Sequence, residues 1–180
     1  GNLTNDGTIA PGTTVGTITV DGNFVASDSS VYEVEIDAYG NNDIITIAGT
    51  ATLGGRVSLL TQGQESGFTA NHRYTILSAQ GGLNGTTYDS LVNWNGASPF
   101  IYVAPTLSYD LQNVYLTLAR NNVMISSAGE TPNEQAVGRV LDYGGLSGNF
   151  ERTLLLQTNQ KAVKSLLSQL TGEAHQSLLS

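Results

Sequence analysis

Apolar and polar residues alternate in short runs along the first two-thirds of the chain, and turn residues separate the runs. Gly16 to Val20 alternates and is closed by Asp21-Gly22, a strong turn pair. Val31 to Asp37 places Tyr32, Val34 and Ile36 on one face and Glu33, Glu35 and Asp37 on the other. Such alternation predicts a strand with one buried and one solvated face. Ile45 and Ile47 repeat the pattern before Gly49, and Val57 and Leu59 repeat it after Gly54-Gly55. Arg73 to Leu77, the positions Val103, Leu107, Tyr109 and Leu111, and the run Val114 to Leu118 extend the series. About nine short strands are predicted before residue 125, with no helical period between them.

Three all-β architectures compete for these strands. A sandwich or a closed barrel uses antiparallel strands joined by tight hairpins. A parallel β-helix winds short strands into coils that stack and bury a continuous aliphatic ladder. The spacers from Val20 to Val31 and from Leu60 to Arg73 are too long for two-residue hairpins, which favours the coil but does not fix its register. Phe100 to Arg120 reads differently. Leu107 to Leu118 forms two alternating runs around Gln112-Asn113, the pattern of an antiparallel hairpin. Pro105 lacks a ladder donor and belongs at a bend or an edge. The last coil of a β-helix exposes unpaired backbone and apolar core. A hairpin bearing Tyr102, Tyr109 and Tyr115, together with Trp94, is suited to cover it.

Past residue 125 the period changes to 3.6. Thr131, Pro132 and Glu134 form a helix start: threonine as N-cap, proline at the first helical position, glutamate three residues after the cap. Val137, Val140 and Leu141 form its apolar stripe, and Gly144-Gly145 ends it. An apolar run, Leu154 to Leu156, follows. A second helix is predicted from near Asn159, with Ala162, Val163, Leu166, Leu167 and Leu170 at helical spacing and Gly172 as its stop.

Composition narrows the choice of function. Apolar residues make up 39% of the 180, enough to fill a core, while only 12% are charged. Seven basic residues against 15 acidic ones give a net charge of −8, which argues against nucleic acid, since phosphate binding needs basic clusters. The absence of cysteine removes disulfides and thiolate metal sites. Phe100 to Ala104 is about the longest apolar run, far short of a membrane span. Gly1 opens without a signal-peptide pattern, and the chain reads as a piece of a longer protein.

Candidate chemistry is sparse. The two histidines, His72 and His175, stand far apart in sequence, and no G-x-S-x-G, H-E-x-x-H or Walker loop accompanies them. Glu33, Glu35 and Asp37 are of the residue type used for glycoside hydrolysis, but their strict alternation assigns them to a solvated strand face. Asp6, Asp21, Asp28 and Asp43 sit near turns without the tandem glycine-rich repeat of calcium-binding coils. No catalytic residue, cofactor or metal ligand is expected, and the chain is not read as an enzyme.

Several segments nevertheless resemble one family in order. Gly7 to Val20 (GTIAPGTTVGTITV) resembles the stretch near the C-terminus of bacterial type V autotransporter passengers. In these passengers Pro-Gly and a second glycine are followed by alternating aliphatic residues. Ser30 to Asp37, Asp43 to Gly55, Tyr74 to Gly82 and the hairpin ending in Val114 to Asn121 follow in that family's order. Asn133 to Val137 and Leu170 to Leu178 resemble the helical linker preceding its outer-membrane barrel. Two positions depart from the pattern: His175 stands where an aromatic is frequent, and Pro105 breaks the strand before the hairpin.

The resemblance implies a mainly β chain: the end of a right-handed parallel β-helix (pectin-lyase-like), capped by an antiparallel hairpin and followed by a short helical linker. Its implied segments are 1–99 for the last passenger coils, 100–125 for the capping hairpin of the autochaperone region, and 126–180 for the linker to a barrel outside this sequence. The implied function is to nucleate passenger folding and promote secretion across the outer membrane, on the extracellular face or released by cleavage. The alternative is a surface adhesin or host-receptor-binding segment. Structural residues rather than catalytic ones are expected to carry the role. They are the ladder Ile18, Val20, Val34, Ile36, Ile47, Val57, Leu59 and Ile76, and the cap Tyr109, Tyr115, Leu116 and Leu118. The implied partners are the chain's own upstream coils and downstream barrel, and a host-cell surface or matrix protein under the alternative.

Overall fold

The computed structural model describes residues 1–63, 68–93, 100–144 and 148–172; Trp94, Gly145 and His175 lie outside these. The chain divides into two compact units, Gly1–Ser98 with Pro105–Ala119, and Pro99–Ala104 with Arg120–Ser180.

In the first unit the chain makes repeated passages through three sheets. The first passage lays down β1 (Leu3–Asn5), β2 (Thr8–Ile9) and β3 (Thr17–Val20). The second adds β4 (Phe24–Ala26), β5 (Val31–Asp37) and β6 (Ile44–Ile47), and the third adds β7 (Ala51–Thr52), β8 (Arg56–Gln62) and β9 (Arg73–Ala79). Corresponding strands pair in parallel, giving the orders β1-β4-β7, β2-β5-β8 and β3-β6-β9. A fourth passage supplies β10 (Ser90–Asn93), parallel to β8. The third sheet continues through β12 (Asn113–Arg120) to β11 (Val103–Tyr109) at its edge. The fold is mainly β with several parallel sheets. Among the described residues every sheet keeps two open edges, so none closes into a barrel.

Among the described residues twelve strands form where about nine were predicted, and the runs named from the alternation fall in seven of them. The other five, β1, β2, β4, β7 and β10, are two to four residues long and carry no run of alternating apolar residues. The spacer between Val20 and Val31 that excluded a tight hairpin contains β4. Pro105 does not break a strand; it lies within β11, on the sheet edge, where a missing N–H costs no ladder bond.

The core is the stack of inward residues from successive passages. Ile18 stands over Ile45 and Ile45 over Leu77; Val20 stands over Ile47 and Ile47 over Ala79. Tyr32 pairs with Val57 and Val34 with Leu59. Ile45, Val34, Val57 and Leu77 are wholly buried, and each such aliphatic side chain contributes about 1.5–3 kcal/mol relative to exposure. Ile76 is buried too, but the ladder position below Ile45 belongs to Leu77. β9 slips its alternation there, so both neighbours face inward.

The second unit is held by polar clamps as much as by apolar packing. Its elements are a 3-10 turn (Ile125–Ala128) and helices α1 (Pro132–Tyr143), α2 (Gly148–Leu155) and α3 (Gln160–Thr171). Thr131 caps α1 as predicted: its side chain accepts from the Glu134 N–H at 3.2 Å, and the Glu134 carboxylate accepts from the N–H groups of Thr131 and Glu130 at 3.0 and 2.7 Å. The same carboxylate takes a short hydrogen bond from Ser168 on α3. Asp142 accepts from the N–H groups of Ile125 and Ser126 at 2.7 and 3.1 Å and pairs with Arg120 at 3.2 Å. Leu154, Leu155 and Leu156, at the end of α2, are buried with Val163, Leu167 and Ile125. Asn159 caps α3, and Gly172, at φ +75°, ends it. Ala162 and Leu170 face outward rather than into the core. Among the described residues, no helix is long and apolar enough to cross a membrane, which leaves strand-built membrane barrels untouched.

One expectation about α1 fails. Val140 is 67% exposed and Val137 only half-buried, while Glu134 and Gly138 are buried. The inward face follows residues 134, 138 and 142 at i, i+4 and i+8. Glu134 and Asp142 satisfy backbone donors on that face, and Gly138 lets the helix approach the 3-10 turn. A Cβ at Gly138 would meet the Ser126 N at 2.8 Å and press on its Cα. Helix propensity alone would make Gly138→Ala stabilising by about 1 kcal/mol. The contact reverses the sign, and a net loss of about 1–3 kcal/mol is expected in urea melts followed by helical circular dichroism. Val140→Lys, at the position the apolar stripe had placed inside, is expected to stay within about 0.5 kcal/mol of the parent.

Candidate functional site

At the end of the parallel stack in the first unit a hairpin strand pairs with the last strand of the third sheet's parallel series. β12 runs antiparallel on β9, with Val114 opposite Leu77, Tyr115 opposite Thr75 and Leu116 opposite Tyr74. The register skips Ile76 between Val114 and Tyr115, the same point at which β9 slips its alternation. A bulge leaves one residue unpaired, and here the Ile76 carbonyl finds a partner inside the core. The Tyr32 hydroxyl donates to it at 2.7 Å. Burial holds the Tyr32 hydroxyl well above its ordinary pKa, with Tyr88 and Asp43 adding to the effect.

The hairpin tip replaces the next passage at a corner of the stack. The N–H of Leu3 donates to Asn23 O, that of Phe24 to Thr50 O, and that of Ala51 to Gly82 O, all at 2.9 Å. The fourth bond of the series, from Leu83, goes to Leu111 O at the tip, again at 2.9 Å. Gln112 O accepts from Ala79 N at 2.8 Å, and Gln112 Nε2 donates to Gln80 O at 2.7 Å. The turn centres on Leu111-Gln112 rather than Gln112-Asn113, since Asp110 N donates to Asn113 O at 3.1 Å. Asp110 organises it: the carboxylate accepts from Gln112 N (2.8 Å), Asn113 N (2.7 Å) and the Tyr115 hydroxyl (2.7 Å). The Tyr115 hydroxyl first, then these turn amides, holds the carboxyl below the usual aspartate range. The Arg73 guanidinium lies 4.1 Å from the centre of the Tyr115 ring, within cation–π distance.

Of the expected cap residues, Leu116 and Leu118 are buried, as is Val114 on the same face of β12. Tyr109 and Tyr115 are half-buried; the Tyr109 phenol is hydrogen-bonded to the Tyr88 backbone. Of the ladder residues, Val20, Val34, Ile36, Ile47, Val57, Leu59 and Ile76 lie in the core, whereas Ile18, in the first passage, is half-exposed. Pattern reading missed Asp110, although an aspartate opening a turn is a recognisable signal. The Tyr32–Ile76 bond has no sequence signal, because it depends on a bulge.

The acidic strand face differs from expectation. Glu35 is 7% exposed, with Oε2 buried and unpartnered. The segment 11–16 is tied down across this face. Gly16 N donates to Asp43 Oδ1 at 2.7 Å and Glu35 N to Asp43 Oδ2 at 2.8 Å, while Gln62 Nε2 donates to Thr13 O at 3.3 Å. Asp43 is itself wholly buried, and burial raises its carboxyl above the ordinary value against the pull of its two N–H donors. Asp37 is engaged by its own loop, accepting from Tyr39 N at 2.9 Å and Asn41 N at 2.8 Å. It lines an open depression of about 350 Å3 with Thr14, Val15, Tyr39, Gln62 and Gly63. His72 packs edge-on against Tyr74, 4.6 Å between ring centres. Among the described residues, no three His, Cys, Asp or Glu side chains group as a metal site.

No family model matches the chain. It is 31% identical over 144 residues to the extracellular serine protease of Serratia marcescens, an alignment that takes in 76% of this chain and 13% of that protein. The chain thus spans only a small part of the length of the curated relative it matches.

Two outcomes test the geometry of this end. Tyr32→Phe leaves the buried Ile76 carbonyl without its donor and is expected to cost about 1–3 kcal/mol in chemical denaturation. Asp110, with its folded pKa depressed, contributes stability that is fully present above the unfolded aspartate value of about 3.9 and is lost as pH falls through the lower folded value. NMR titration of the Gln112 and Asn113 amides is expected to give a midpoint below about 3.9, and Asp110→Asn to abolish that transition.

Proposed function

We propose that this chain is the folding and secretion module of an autotransporter-type passenger. On this reading the three-sheet winding is the last part of a right-handed parallel β-helix. The hairpin β11–β12 is its cap, and the helical unit is the linker toward an outer-membrane barrel. The carrying observation is the corner series in which Leu83 donates to Leu111, the hairpin tip standing where a further passage would otherwise stand. A stack closed at one end folds without a neighbour on that side. Its other end is left as a template for the coils that precede it, each adding apolar burial of roughly 25 cal/mol per Å2.

The order of the resembling segments and the match to an extracellular protein support a passenger-like role and a location outside the cell. The protease activity named for that relative belongs to a protein of which this chain spans 13%, and we assign none to this segment. Its work is structural: the hairpin protects open strand edges that would otherwise aggregate, and folding outside the membrane opposes return through the pore.

Replacing Leu116 and Leu118 together by asparagine in the full-length protein is the direct test. Two buried apolar side chains of the cap are lost, at about 2–5 kcal/mol each. Surface display is expected to fall, and the passenger that does emerge is expected to become protease-sensitive. Undiminished display of a protease-resistant passenger would sink this reading.

A further inference from the structure

The open depression of about 350 Å3 in the first unit is formed by three pieces of chain. Thr14 and Val15 come from the segment between β2 and β3, Asp37 and Tyr39 from the end of β5 and the turn after it, and Gln62 and Gly63 from the end of β8. The first piece is tied down by Gly16 N on Asp43 Oδ1 and by Gln62 Nε2 on Thr13 O. The turn is bound more densely. Besides the two N–H groups already on the Asp37 carboxylate, Asn41 Nδ2 donates to Asp37 Oδ2 at 2.8 Å, and Asp37 N donates to Asn41 O at 2.9 Å. Ala38 N donates to Gln62 O at 3.1 Å, and Asn42 Nδ2 reaches Thr75 O at 2.7 Å.

On this frame Tyr39 is 90% exposed. An aromatic ring of this size gains most by burial, yet here it is held out into solvent beside the depression it lines. The turn uses Tyr39 through its backbone N–H, and nothing in that frame requires an aromatic side chain. The polar groups around the ring are acceptors. Among the described residues, Thr14 Oγ1 and Gln62 Oε1 carry no hydrogen bond. Burial alone would raise the Asp37 carboxyl, but its bonds from Asn41, Tyr39 and Gly40 hold it below the ordinary aspartate value, so it is ionised at neutral pH. Glu35, two residues back on the same face of β5, adds a second acid. Such a setting repels anions. The charge of Asp37 is already met by N–H groups, so it offers hydrogen-bond acceptance more than a bare counter-charge for a basic side chain.

We propose that this depression binds one neutral pyranose ring of a saccharide, its C–H face resting on Tyr39 and its hydroxyls donating to Thr14, Asp37 and Gln62. A pyranose carries an apolar C–H face and a rim of hydroxyl donors, the complement of an aromatic face beside a row of acceptors. The negative face of the tyrosine ring attracts the weakly positive C–H bonds. Walls fixed before binding lower the ordering cost, and the volume suits a small ligand. This is a binding role apart from the folding role proposed above, and it does not rest on it.

The test follows the backbone amides of Tyr39, Asn41 and Gly63 by NMR while methyl glycosides of glucose, galactose, mannose and N-acetylglucosamine are added in turn. At least one glycoside is expected to shift these amides saturably. Tyr39→Phe should keep that binding and Tyr39→Ala should weaken it by about tenfold or more, with the Asn41 and Asn42 amides of the sugar-free variant unmoved. Saturation transfer from aromatic protons to the C–H protons of the bound glycoside gives a second readout that needs no substitution. The proposal is overturned if no glycoside shifts these amides, if Tyr39→Ala binds as tightly as the parent, or if sorbitol, which has the hydroxyls without the ring, binds equally well. It is also overturned if the amides respond only to N-acetyl-arginine amide, which would make a basic side chain the occupant. Secretion is not read in this experiment, so its outcome bears on this site alone.

Discussion

Parallel strands stacked passage on passage satisfy their backbone groups only by borrowing from the next passage, and the last one has nothing to borrow from. Everything distinctive in the first unit answers that constraint. β12 reverses direction to pair with β9, the tip carbonyls of Leu111 and Gln112 accept from Leu83 and Ala79, and Asp110 fixes the turn that presents them. The mismatch between a parallel strand and an antiparallel one falls at Ile76. It is absorbed by a bulge whose freed carbonyl is taken up by Tyr32 from the opposite side of the core. Unpaired backbone in a buried place costs as much as a lost hydrogen bond, so the bulge and the tyrosine belong together.

The two units solve similar problems with different means. In the first, close approach at the corners is achieved by removing side chains, and glycines at 22, 49 and 81 let one passage rest on the backbone of another. In the second, Gly138 does the same for a helix against a 3-10 turn, but orientation is set by buried carboxylates. Glu134 and Asp142 each satisfy several donors from neighbouring backbone. Buried carboxylates are tolerated where N–H groups replace water, and the same holds for Asp43 between Gly16 and Glu35. Acidic residues in this chain therefore serve as internal joints as well as surface charge.

Strands whose apolar residues alternate, β3, β5, β6, β8 and β12, and β9 as far as Ile76, were legible because burial on one face writes a period of two into the sequence. The start of α1 was equally legible, since Thr131, Pro132 and Glu134 meet purely local needs of a helix end. The candidate site was half legible. Leu116 and Leu118 announce a buried strand face, but Asp110 was passed over and Glu35 was assigned to solvent. The reason for the second error is physical: alternation reports which face of the sheet a residue points to, not whether another segment lies over that face. The helix face failed similarly, because apolar content at 137, 140 and 141 carried less weight than the joints at 134 and 142.

The amino-acid sequence by itself determined the local elements, the switch from β to helical structure near residue 125, and the composition that disfavours nucleic acid, disulfides and membrane-spanning helices. These depend on neighbours within a few positions or on simple counts. Only the tertiary structure decided that corresponding strands of successive passages pair in parallel within three sheets, and that the hairpin tip stands where a fifth corner would. Those facts join residues some 20 to 45 positions apart, Asn2 with Asn23 and Tyr32 with Ile76. No short-range pattern encodes which distant backbone group will lie within reach.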